Sequence, residues 1–573
     1  MRRLASSSFV VTLLIHLACI VSFARAGHAL RLVPDDVGLC LAVRNLRSDF
    51  AAVAKSPFLD EFRKTDMGRR LLDAPEFRKL VASGQKLHKV LGTSWQDLRD
   101  EILGDEVVFA YRPSTNSGNE ENEEDGLFVL QARNAKILAD LIDRLNSLER
   151  NSKELTSLHE REYRGITYTE RVSKKSRVFY FRHDGILAVA TREATLKQLI
   201  DRNSQASVAP ANLDERIAKL GLTNALAVLW VNPRAFDIEL EQQAASTSGA
   251  EKLAVEKMRS YWKALDGIAF SLMLEKQQIS LQLTLLVRPK DLPPLAQRFF
   301  LSDNDPSELW NFLPNDAVLA AAGRVDIPAL VAFLGEFLPA DAKEEIRRTV
   351  NRGIGAALGL DVSHDILPNL GPDWGIAVRL NEQDGQPIAP EQLFALKVCP
   401  GKKDKSVGQA LTDGLNALAL FAVIGYNSSG RPDAFTLKRE RQGNTEVKYL
   451  VNDDLLPKGV RPAYAIKDEY LLLASSPDAI RHFRAGSGIK AEKGLLVRLS
   501  LSRLADFLAK HRVFLLQRWT KGGEADAATA KRRLDNFLAI VRLFDRIELK
   551  SQGGNGRSTL SLSIHTKLAL RGN

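Results

Sequence analysis

The chain has 573 residues, 45% of them hydrophobic and 26% charged, with a formal net charge of +10. This is more than one hydrophobic core holds, too apolar for a disordered chain and too charged for a multi-span membrane protein. The positive charge is dispersed in short clusters, "SKKSR" (173–177), "GKKDK" (401–405) and "AKRRLD" (530–535), with no interleaved aromatics; these read as solvated faces rather than a nucleic-acid groove, and leave weak attraction to an acidic envelope surface.

The first element is a targeting signal. Arg2 and Arg3 precede an apolar run from Phe9 to Phe23, interrupted by Thr12, His16 and Ser22, and "ARA" follows with Ala24 and Ala26 in small-residue positions. This predicts a signal peptide over residues 1–26, cut after Ala26 or after Ala29. The run is shorter than the about 20 residues of a spanning helix, so an uncleaved anchor is the weaker alternative. Cys19 raises a lipoprotein, but His16 stands where an aliphatic residue is needed and the apolar run continues past the cysteine. No later segment reads as a charge-free span. Removal of Arg2, Arg3 and Arg25 leaves +7.

The first half, 29–290, begins with "LVPDDVGLCLAV" and a strand over 37–43. Helical stretches follow over 46–64 and 73–91, then a hairpin of 105–112 with 127–133. Its acidic loop, 113–126, lacks Asp-x-Asp-x-Asp-Gly spacing and reads as a tolerated insertion rather than a calcium loop. Ile137, Leu138, Leu141, Ile142 and Leu145 have helical spacing. Three short strands around "YRGITYTERV", "RVFYFRH" and "GILAVAT", the helix "REATLKQLID", a strand at "NALAVLWVN" and a helical region to about 264 come next. A long hairpin closes the half, with Ile279, Leu281, Leu283 and Leu285 on one face. Residues 291–308 read as a linker, and 309–573 repeat the list.

Four segment pairs recur in the same order: 32–43 with 312–323, 91–104 with 358–371, 179–200 with 463–484, and 265–285 with 544–564. All shifts lie near 280, which predicts two homologous lobes from an internal duplication. Short connections between strands make the pairing largely antiparallel. The expected fold class is therefore α+β: two lobes, each a largely antiparallel sheet with covering helices on one face.

The search for chemistry yields no catalytic, cofactor-binding or metal-binding residue. The nine histidines form no His-x-His or His-Glu-x-x-His, and Cys40 and Cys399, both on expected strands, read as unpaired thiols. "GIGAALG" (353–359) follows the helical "AKEEIRRTVNR", whereas a dinucleotide site needs a strand there. "HERE" (159–162) reads as a charged surface connection before a strand. Asp184, after His183, matches Asp468, after Lys467, and both read as hairpin turns. Trp230, Trp262, Trp310, Trp374 and Trp519 are scattered and read as core residues rather than a sugar platform. Asp35 and Asp36 match Asn315 and Asp316, so "VPDD" reads as the turn that launches a strand rather than a carboxylate pair.

With "LVPDDVGLCLAV", "VAKSPFLDEF", "LGDEVVFAY", "LFVLQARNAKILADLIDRL" and "YRGITYT" in this order, the chain resembles a family of exported bacterial proteins known only as a domain of unknown function. The resemblance covers 29–206 well and the second half loosely. "GPDWGIAVR" departs from the Gly-Asp-Glu phrase, so any role of Glu106 is missing there. The resemblance implies export and a globular α/β-type domain, with no activity and no catalytic residue.

The expectation is a non-catalytic bacterial protein, periplasmic or secreted, acting by binding or as a structural protein in the cell envelope. No cofactor and no nucleic acid are expected. An unknown envelope partner or ligand is, with a peripheral membrane contact open to it. Two alternatives stand: a carrier or sensor of an apolar ligand in a cleft between the lobes, and an envelope hydrolase with an unrecognised site.

Overall fold

The computed structural model describes residues 29–75, 88–89, 91–114, 124–204, 213–248, 250–300, 305–356, 359–399, 407–429, 433–486, 488–490, 492–521 and 526–571. The expected signal peptide and its expected cut after Ala26, most of the acidic loop, the 401–405 cluster and most of the expected helix over 73–91 lie outside the described residues.

The described chain forms two compact units. The first comprises residues up to Ala245, Leu265–Val287 and the tail from Thr566; the second comprises Ser246–Ala264 and Arg288–His565.

The first unit contains β1 (Leu39–Arg44), β2 (Glu106–Arg112), β3 (Asp125–Gln131), β4 (Leu155–Tyr163), β5 (Ile166–Ser173), β6 (Arg177–His183), β7 (Ile186–Ala190), β8 (Ala227–Val231), β9 (Leu265–Leu274) and β10 (Gln278–Val287). Their order is β10-β9-β8-β1-β2-β3-β7-β6-β5-β4, antiparallel throughout. Its helices include α1 (Ala29–Leu32), α2 (Leu46–Ala54), α3 (Ala135–Asn151), α4 (Glu193–Ser204) and α5 (Leu213–Lys219). Asn134 caps α3 by accepting from the amides of Lys136 and Ile137. Alternation along β1 sends Cys40 and Ala42 into a core with Leu196 and Leu199 of α4 and Ile217 of α5. Val43 joins a second core with Leu138, Leu141 and Ile142 of α3. Helices therefore cover both faces of the central strands of the first unit rather than the one face expected, so these strands are apolar on both sides.

The second unit contains β11 (Leu319–Arg324), β12 (Leu370–Arg379), β13 (Glu391–Val398), β14 (Thr436–Gln442), β15 (Thr445–Val451), β16 (Ala463–Lys467), β17 (Tyr470–Ala474), β18 (Leu495–Ser500), β19 (Phe544–Gly554) and β20 (Arg557–Thr566). From β19 the order is β19-β18-β11-β12-β13-β17-β16-β15-β14, again antiparallel. Strand for strand, this is the order of the first unit. Its helices include α6 (Ala250–Ala264), α7 (Ile327–Gly335), α8 (Ala340–Val350), α9 (Val407–Asn427), α10 (Pro477–His482), α11 (Leu501–Lys510) and α12 (Ala527–Val541).

Three boundaries differ from those expected. Helix α6 belongs to the second unit, because Tyr261 donates 2.6 Å to Glu336 and packs edge-on against Phe333 of α7. The expected linker 291–308 carries the helix Pro294–Phe300 and also belongs there. The tail belongs to the first unit. The amides of Thr566 and Leu570 donate to the carbonyls of Gln277 and Lys276, Phe58 donates to Ala569, and Arg571 donates 2.9 Å to Asp49.

The β9–β10 hairpin reverses the expected burial. On β10 the buried residues are Ser280, Thr284 and, past a bulge at the strand's end, Val287, while Leu281 on the apolar face is 49% exposed. Leu281 lies opposite Leu272, Leu283 opposite Phe270 and Leu285 opposite Ile268, and Phe270 is 46% exposed. Small hydroxyl side chains fit a tight interior, which leaves the larger apolar ones outward.

Asp49 is buried in α2, and burial pushes its carboxyl from 3.8 up to about 7 against the opposing charge of Arg571. The folded protein then holds a proton that the unfolded chain has lost. This contribution to stability is present at low pH and is lost as pH rises through about 7. Asp49→Asn removes the loss: its melting temperature relative to wild type should rise between about pH 5 and about pH 8. A difference that stays constant with pH contradicts the assignment.

Candidate functional site: an exposed apolar helix

Asp35 and Asp36 form the turn before β1, and Asn315 and Asp316 form the turn before β11, as the repeated phrase predicts. The carboxylates do not converge: Asp35 lies 3.8 Å from Arg216, while Asp36 accepts 2.8 Å from Arg112. Arg112 ends β2 opposite Asp125, whose buried carboxylate is 3.9 Å away and accepts hydroxyls from Thr191 and Thr195. The second unit builds the same group. Arg379 donates twice to Asp316, at 3.0 and 2.8 Å, and at 3.1 Å to Glu391 opposite it on β13. Burial pushes the Asp316 carboxyl up, but the bonds from Arg379 outweigh it and hold it below the usual range. These groups join a turn to two strands.

Glu106 is buried at the start of β2. It accepts 3.0 Å from Arg44 and 3.1 Å from the amide of Leu30 in α1, and burial raises its carboxyl pKa against the charge of Arg44. The second unit lacks this pair: Asp373 takes the place opposite Arg324, which turns to Asp305 at 3.7 Å. Asp184 with Gly185, and Asp468 with Glu469, have positive φ in their hairpin turns, the left-handed pair such turns require. The "HERE" stretch is not a connection; it lies on the exposed strand β4, where His159 faces Glu170 across the pair. Helix α8 precedes Gly353, so no strand leads into the glycine phrase. Cys40 and Cys399 are unpaired, and burial pushes the Cys40 thiol pKa up. Trp230 and Trp310 are core residues, while Trp262, Trp374 and Trp519 are half-buried on separate elements.

The feature that stands apart is α9. Its 21 residues carry one charge, Asp413, so it is not a charge-free span, yet it is long and apolar enough to cross a membrane. Only its first half is packed. Val407 and Leu411 join Ile366, Val398 and Leu471 in a small core, and Tyr464 donates 2.6 Å to Asn416. Beyond that point Leu418, Leu420, Phe421 and Ile424 are exposed, Phe421 by 70% and Ile424 by 59%. Tyr426 and Asn427 tie the helix end to Asp433 and Phe435. Helix α9 packs beside β14, whose Lys438, Arg439 and Arg441 are exposed. The sequence hides this face, because an all-round apolar helix reads as buried.

Glu106→Ala should leave Arg44 buried without a full partner and release α1. A loss of about 3–5 kcal/mol is expected, measured by urea unfolding. A loss of under about 1 kcal/mol contradicts the anchoring role.

No curated protein matches the chain. Crystal forms III, IV and I of TP0453 are similar to it at 12%, 10% and 10% identity. They cover 48%, 46% and 48% of this chain and 87%, 81% and 85% of theirs, with TM-scores of 0.24, 0.23 and 0.24. The family model described as "Protein of unknown function (DUF3352)" matches residues 94–419, from just before β2 into α9. The match spans more than half of the chain, and the protein belongs to this family.

Proposed function

We propose that the chain is an exported, non-catalytic protein of the bacterial cell envelope that lies against an anionic lipid bilayer through the second half of α9. The observation that carries this reading is the exposed face of Leu418, Leu420, Phe421 and Ile424. In water such a patch is unfavourable at roughly 25 cal/mol per Å² of apolar surface. In the interface of a bilayer the same face is buried among acyl chains while the helix lies in the membrane plane. The polar residues at the helix end, Asn427 to Ser429, suit this orientation better than a perpendicular one. Lys438, Arg439 and Arg441 of the neighbouring strand supply the charge that anionic headgroups attract. The basic segment at the N-terminus supports export. The shared strand order and the matching Asp36–Arg112–Asp125 and Asp316–Arg379–Glu391 groups support descent of both units from one duplicated sequence.

A second reading rests on a separate observation. The outward face of β9–β10, with Phe270 and Leu281 exposed, favours a carrier of an apolar ligand, held on the first unit.

Flotation with phosphatidylglycerol–phosphatidylcholine vesicles separates these readings. The full chain should float, and Phe421→Asp with Ile424→Asp should reduce the bound fraction about tenfold without changing the melting temperature. Wild type that stays at the bottom, or a variant that floats equally, contradicts bilayer attachment. The carrier reading predicts instead that Leu281→Glu abolishes binding of an apolar fluorescent probe that the helix variant still binds.

A further inference from the structure

The second unit contains a cavity of about 220 Å³ lined by Asn315, Ser500, Ser502, Arg498, Arg503 and Arg546, with Asp545 as its one acidic residue. The residues come from distant stretches. Register pairing of β18 with β19 sets Arg498 opposite Glu548 and Ser500 opposite Arg546. Ser500 caps α11, so the N-terminus of that ten-residue helix opens beside the cavity.

Existing contacts fix the three guanidiniums and leave part of each unused. Glu548, fully buried, accepts 2.9 Å from Nε of Arg498 and 2.9 Å from Nε of Arg546. Lys550 and His565 lie 3.2 and 3.3 Å from its other oxygen. Burial pushes the Glu548 carboxyl up, but His565, Arg546 and Lys550 outweigh it and hold it well below the usual range. Arg498 donates from Nη2 to Glu492 at 3.3 Å. Arg546 donates from Nη1 to Asp545 at 2.7 Å, and Asp545 also accepts 3.2 Å from Ser502. Arg503 donates from Nη1 to the carbonyls of Asn315 and Ala317, and forms no ion pair with a described residue. Among the described residues, Nη1 of Arg498, Nη2 of Arg546, and Nε and Nη2 of Arg503 donate to no side chain or carbonyl. The lining residues carry three positive charges against one negative.

We infer that this cavity is a binding site for a phosphate group, held by Arg498, Arg503 and Arg546 with the hydroxyls of Ser500 and Ser502. Planar guanidiniums arriving from a strand, a helix and a neighbouring strand suit a tetrahedral oxyanion with several acceptor oxygens, and the helix N-terminus adds to the same field. The cavity leaves room beyond a bare phosphate for an attached organic group. Arg503 is the discriminating residue, because it is exposed and holds no carboxylate in direct contact, the charge of Asp316 acting on it only at longer range.

Calorimetry of the full chain against inorganic phosphate and against glycerol 3-phosphate tests the site. Both should bind, and Arg503→Gln should weaken binding about tenfold or more. Ser502→Ala, a smaller change that keeps every arginine, should weaken it less. Tighter binding of glycerol 3-phosphate supports a phospholipid headgroup as the natural occupant; equal or weaker binding supports free phosphate. The inference is overturned if wild type binds neither, or if Arg503→Gln, at unchanged melting temperature, binds both as wild type does. It does not depend on bilayer attachment, since both probes are soluble and α9 contributes no lining residue.

Discussion

A carboxylate inside a sheet must find a cation or hydrogen-bond donors, and in both units this requirement sets how the fold begins. Asp125 and Glu391 are buried at the head of the third strand of their units. Each meets an arginine that ends the second strand, and that arginine reaches back to the turn before the first. Three segments distant in sequence are thereby held in one register. A slip by one residue would turn each arginine to the opposite face and strand a buried charge. The apolar cores on either side depend on that register, because the same alternation sends Cys40 and Val43 to different cores.

The second unit extends the arrangement at its other flank. Glu548 on β19 gathers Arg498, Arg546, Lys550 and His565, where the first unit has apolar packing around Trp230 and Ala269. The first unit instead spends its extra ion pair, Arg44 with Glu106, on holding α1 beneath the sheet. One strand order thus carries two different charge centres. The first is spent on anchoring the chain's own segment; the second borders a cavity with unused guanidinium donors.

Local physics explains what the sequence revealed. Proline sets φ and aspartate bonds nearby backbone, so "VPDD" and "LPND" marked both strand starts correctly, and Asp-Gly marked the turn at Asp184. Periodicity found α3 and most strands, and the family resemblance held from residue 94 onward: "LVPDDVGLCLAV" and "VAKSPFLDEF" precede the match, which runs further into the second half than the motifs suggested. What depended on distant contacts was not legible. Helix α6 and the tail changed units because their partners, Glu336 and Asp49, lie 75 and 522 residues away. "HERE" looked like a connection because its side chains are polar on both faces of an exposed strand. Arg498 and Arg546 share Glu548 only through strand pairing, and no spacing in sequence announces the cavity. The exposure of α9 was hidden for the opposite reason, since composition cannot distinguish an apolar helix in a core from one facing outward.

The account turns on what covers that face of α9. Hydrogen exchange of the full chain, with and without phosphatidylglycerol-containing vesicles, tests it residue by residue. Peptides covering 414–427 should exchange more slowly when vesicles are present, while those covering β1 and β2 stay unchanged. Unaltered exchange over 414–427 in a vesicle-bound protein would contradict the account, because another surface would then be making the contact.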